Sequence, residues 1–100
     1  MRDMDITNKI KIIEQLKSQL LTDIASIYAN MASDEGENKN NIELLADIII
    51  ISYFLSEKLG TSYDGLDIRI KNRLKLAIIN EEEGSKWKTQ LSLLSRHFKL

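Results

Sequence analysis

The chain has no cysteine and no proline, and only four glycines and one histidine among its 100 residues. Without cysteine there can be no disulfide, thiolate zinc site or cysteine nucleophile. The lone histidine, His97, excludes a zinc site built on several imidazoles and argues against a catalytic triad. No glycine-rich cluster is present, which removes phosphate loops and dinucleotide fingerprints. Charge of one sign is also lacking: 14 basic and 15 acidic residues leave a net charge of −1. A nucleic-acid backbone would require a basic footprint, so no nucleic-acid partner is expected. The most apolar run, Leu44 to Leu55, contains Asp47 and is too short to span a bilayer. The opening Met-Arg-Asp-Met-Asp leads into amphipathic rather than uniformly apolar sequence, unlike a signal peptide. These features predict no membrane partner and a cytoplasmic location.

What is present is helical patterning. One hundred residues suit a single domain, residues 1–100. A core of that size is modest, so part of the apolar surface is expected to be buried by association of copies, as a homodimer or larger homo-oligomer. Gly36, Gly60 and Gly84 fall where the periodic patterns stop, dividing the chain into four stretches. In the first, Thr7 to Met31, Ile6, Ile10, Ile13, Leu16, Leu20, Ile24, Ile27 and Met31 recur every three or four residues and form one apolar stripe. Thr7 or Asp5 can cap it, a bend or break near Ser18 is allowed, and Lys9, Lys11, Lys17 and Gln19 fill the other face. Ala32 to Asn40 is a polar loop.

The second stretch, Asn41 to Leu59, contains Ile48-Ile49-Ile50-Ile51-Ser52-Tyr53-Phe54, which would suit a strand on propensity alone. It is read as helix because the pattern exceeds strand length and no second strand is available to pair with it. Apolar nearly all round, it is expected to be the central helix, with Gly60 at its C-terminal cap. A third stretch begins at Tyr63 or Gly65 and ends at Ile79. An acidic link, Asn80 to Gly84, joins it to a fourth, Ser85 to Phe98, whose Trp87, Leu91, Leu94 and Phe98 share a side. The predicted fold is an all-α bundle of about four helices, with Trp87 in its core.

Carboxylates on helices are then the main source of chemistry. Asp23 sits at the edge of the first apolar stripe, and Asp47 opens the apolar run of the second stretch. Glu43 precedes Asp47 by one turn and shares its face. If the first two helices pair antiparallel across the polar loop, Asp23 and Asp47 become neighbours able to hold a divalent cation. The commoner role for such residues is a helix-edge acid in a hydrogen bond or ion pair. Arg69, Lys71, Arg73 and Lys75 form a basic patch on the third helix that could hold phosphate or simply be solvated.

Three segments, in this order, resemble the short MazG-like family, distant relatives of the MazG nucleoside triphosphate pyrophosphohydrolases. The first is Asp5-Ile6-Thr7 leading into Ile12-Ile13-Glu14-Gln15-Leu16-Lys17, Leu20-Leu21 and Ala25-Ser26. The second is Leu45-Ala46-Asp47-Ile48-Ile49-Ile50 continuing to Leu59-Gly60-Thr61-Ser62-Tyr63. The third is Leu66-Asp67 and Arg73-Leu74-Lys75-Leu76, followed by Lys86-Trp87 and Leu91-Ser92.

The resemblance implies an Mg²⁺-dependent hydrolase that cleaves a nucleoside triphosphate to monophosphate and pyrophosphate. Asp23 and Asp47 would be its catalytic acids, Asp23, Glu43 and Asp47 its metal ligands, and Arg73 and Lys75 its phosphate-binding residues. The family's first acidic motif, Glu-Glu-x-x-Glu, falls on Thr22, Asp23 and Ser26, and only Asp23 is acidic. The second, Glu-x-x-Asp, falls on Leu44 and Asp47, with Glu43 one place early. A commonly seen asparagine after the arginine is Ala77 here. Each missing carboxylate removes charge that would offset dehydration of the metal. The alternative is therefore a non-catalytic helical module for nucleotide binding or oligomerisation. A helical DNA-binding adaptor is disfavoured by the near-neutral charge.

Overall fold

A computed structural model describes residues 2–33 and 38–99, with side chains described for 5–33 and 40–99. Those residues form four helices and no strand: α1 (Arg2–Ala32), α2 (Asn38–Lys58), α3 (Tyr63–Asn80) and α4 (Lys86–His97). α1 pairs with α2 and α3 with α4. The chain divides into two compact units, Met1–Thr61 and Ser62–Leu100, each a helical hairpin.

α1 starts five residues before the expected Thr7, so Asp5 and Thr7 lie inside the helix rather than capping it. Nothing between Arg2 and Thr7 breaks a helix, and the apolar stripe alone does not report a start. No break occurs at Ser18. The Thr22 hydroxyl donates to the Ser18 carbonyl at 2.9 Å, satisfying its polar group within the turn. Likewise, α2 runs uninterrupted through the isoleucine-rich stretch, where Ser52 Oγ donates to the Ile48 carbonyl at 2.8 Å. The polar loop is shorter than expected, since α2 already begins at Asn38. Residues 34–37, including Gly36, lie outside the described residues.

α2 is stopped by a Schellman motif. Gly60, at φ +96°, donates to the Glu57 carbonyl at 3.1 Å, and Thr61 donates to that of Ser56 at 2.9 Å. Two residues after Gly60, Ser62 caps α3 by accepting from Gly65 N at 3.0 Å. Ser85 caps α4, accepting from Trp87 N at 3.1 Å while donating to Glu81 Oε1 at 2.6 Å. Lys88 and Glu83 form an ion pair beside that cap.

The core is small. Ile27 and Ile51 are buried in the first hairpin, and Leu74 and Ser95 in the second. The expected α1 stripe is only partly covered: Ile13, Leu16 and Leu20 are half-buried, while Ile6, Ile10, Ile24 and Met31 are exposed. Trp87 is not a core residue, being 69% exposed. It lies beside Leu91, Leu94 and His97 in an apolar recess along α4. The helical spacing placed it correctly on an apolar face, but that face extends beyond what α3 covers.

Candidate functional site: a carboxylate pair on facing helices

The first hairpin is antiparallel, and its pairing can be followed from the loop outward. Near the loop, Asn30 Nδ2 donates to Asn41 Oδ1 at 2.9 Å. Seven residues back along α1 and six forward along α2, the carboxyl of Asp23 lies against that of Asp47. Farther on, Lys9 and Ile12 line one recess with Glu57 and Lys58. The periodicity of each helix explains the encounter. Asp23 lies one helical turn before buried Ile27, and Asp47 one turn before buried Ile51, so both acids share the faces that form the seam.

Asp23 is only 3% exposed. Its Oδ1 accepts from Gln19 Nε2 at 2.8 Å, while its Oδ2 is buried with no hydrogen-bond partner. Asp47 is half-buried. The neighbouring acid holds the Asp47 carboxyl above its ordinary value of 3.8, first through the hydrogen bond that a protonated Asp47 can make to Asp23, then partial desolvation, then repulsion by the Asp23 charge. Two acceptors thus face one another with no donor between them unless a proton or cation supplies it.

Of the other anticipated residues, Glu43 is exposed. It does not complete a three-carboxylate group, since among the described residues no group of three or more His, Cys, Asp or Glu side chains is arranged to hold a metal. The i, i+4 spacing put Glu43 on the side of Asp47, but on the solvent edge of that side. Arg73 and Lys75 are both exposed on α3, in the second hairpin.

The apolar pattern puts Gln19 on the polar face, yet it is the hydrogen-bond partner of Asp23. The signal that could have found it is the Gln-to-Asp spacing of four residues, a favourable helix pair. The recess formed by Asp5, Asn8, Lys9, Ile12, Glu57 and Lys58 was also missed. It contains both charge signs, with Lys58 Nζ 3.3 Å from Glu57 Oε2, and so offers no net charge to a ligand.

The two carboxylates can accommodate a divalent cation. Mg²⁺ is usually held by one or two carboxylates with waters and substrate phosphates, rather than by a complete protein cage. A buried carboxylate oxygen without a donor, beside a second carboxylate, fits that requirement.

These features define an all-α protein with paired acids on the facing helices of a hairpin. The MazG-like family model matches residues 6–91, and the chain belongs to that family. No curated protein and no solved structure matches it.

Proposed function

We propose that the protein is a nucleoside triphosphate pyrophosphohydrolase in which Asp23 and Asp47 hold Mg²⁺ together with the triphosphate. The observation that carries this reading is the buried Oδ2 of Asp23, which lacks a donor, on a carboxyl that lies against that of Asp47. Burying an unpaired carboxylate oxygen costs stability, and a cation between the acids would recover that cost. The chemistry that a bound divalent cation supplies is polarisation of a phosphate oxygen and activation of water. Asp23, fixed by Gln19 on one oxygen, presents the other; Asp47 supplies the second carboxylate. Triphosphate oxygens complete the ligand set that Glu43 leaves incomplete.

The test is a pyrophosphate-release screen over nucleoside triphosphates with Mg²⁺ and Mn²⁺, comparing wild type with Asp23→Asn. Metal-dependent release by wild type and its loss in the variant are expected. Release that persists in the variant would remove the acid pair from the reading. A second reading, nucleotide binding without turnover, is favoured because no third carboxylate joins the group among the described residues. It would be recognised by metal-dependent triphosphate binding without pyrophosphate release.

The same proposal includes a homo-oligomer acting in the cytoplasm. No helix among the described residues is long and apolar enough to cross a membrane. Ile10, Tyr28, Ile42, Leu45 and Ile49 on α1 and α2 remain exposed, and covering such surfaces contributes roughly 25 cal/mol per Å². Sedimentation equilibrium at micromolar concentration should give a dimer or larger species; a monomer overturns this part.

A further inference from the structure

We infer that Gln19 is the positioning residue of the acid pair, a role that rests on the cation-binding reading above. A carboxylate rotates easily about its last bond, since the torsion is broad and nearly two-fold. In Asp23 that rotation is restrained by one donor. Gln19 Nε2 holds Oδ1 at 2.8 Å from one turn earlier on the same helix. The other oxygen, Oδ2, is the one left buried and without a donor, in a side chain whose carboxyl lies against that of Asp47. Gln19 is itself exposed on α1, whereas Asp23 is buried, so the amide reaches inward from the surface to set the orientation of an interior carboxylate. A primary amide suits this task. Its N–H donates to the charged acid without adding a positive charge that would compete with a cation.

The experiment titrates Mn²⁺ into the whole chain and follows the electron paramagnetic resonance of the free aquo ion. Gln19→Met keeps the length and helix preference of the side chain but removes the donor. Gln15→Met makes the same change one turn away, at another exposed position. Wild type and Gln15→Met should bind Mn²⁺ alike. Gln19→Met should bind at least about tenfold more weakly, as expected when an orienting partner is lost, at a temperature where circular dichroism shows all three proteins equally helical. Equal affinity for all three proteins overturns the inference and leaves the cation site standing. Weakening shared by Gln15→Met, or a helical signal of Gln19→Met below that of wild type at the titration temperature, overturns it as well. Failure of wild type to bind Mn²⁺ removes the cation-binding reading, and the inference with it.

Discussion

Replacing Asp23 by asparagine should stabilise the metal-free protein. Asparagine preserves the shape of the side chain and keeps an oxygen for Gln19. Where wild type buries Oδ2 without a donor, the variant can place an N–H against the Asp47 carboxylate. Two effects compete. The bond from Gln19 weakens because its acceptor is no longer charged, which costs about 1 kcal/mol at most for a pair reaching the surface. Relief of a buried, unsatisfied carboxylate oxygen is worth about 1–3 kcal/mol, and the new hydrogen bond adds to it. The net gain is roughly 1–2 kcal/mol. For a chain of this length each kcal/mol moves the melting temperature by about 4–8 °C, so a rise of at least about 4 °C is expected by circular dichroism at pH 7.

The pH dependence provides a second signature. Asp47 in the folded wild type holds its proton above 3.8, so the folded state binds more protons than the unfolded state just above that value. Wild-type stability therefore falls as pH rises through the elevated Asp47 value. Asp23→Asn removes the charge and offers Asp47 an N–H in place of an acceptor, and should flatten that part of the profile. A variant that melts below wild type at pH 7, or that retains the same acid-side slope, would refute the reasoning.

Ile51→Ala, at a position 4% exposed on the α1–α2 seam, should cost about 2–5 kcal/mol in urea unfolding, whereas Ile49→Ala on the exposed side should cost far less. Gly60→Ala should destabilise by about 1–2 kcal/mol from backbone strain at positive φ alone, since no atom lies within 4 Å of the added Cβ; equal stability in thermal melts would contradict the cap.

The fold was legible where local chemistry and periodicity agreed. Gly60 announced the end of α2 because few other residues take its backbone conformation without strain. The isoleucine run of α2 could be read as helix against its own propensity because the chain offered no partner strand. Asp23 and Asp47 stood out as charges beside apolar runs, and antiparallel pairing of two adjacent helices brought them together. What could not be read was how much of each apolar face one hairpin covers. Ile10 and Ile27 obey the same periodicity, yet one is exposed and the other buried, since coverage depends on the neighbouring helix and not on spacing. Trp87 was misplaced for that reason. Gln19 was obscured differently: apolar patterning sorts residues into two faces, while a long amide at the boundary can reach from one to the other.

The pairing of each helix with its immediate neighbour in the chain also has a kinetic consequence. A hairpin made from consecutive helices closes only a short loop, so little entropy is spent before its first native contacts form. Each unit has the low contact order of local helical pairings, the regime in which folding takes microseconds to milliseconds. The three residues Gly60, Thr61 and Ser62 stop one helix and start the next using bonds made within a few positions of themselves. Each hairpin can therefore begin to form while the other is still coil, and the acids of the first can meet before the second half of the chain has left the ribosome.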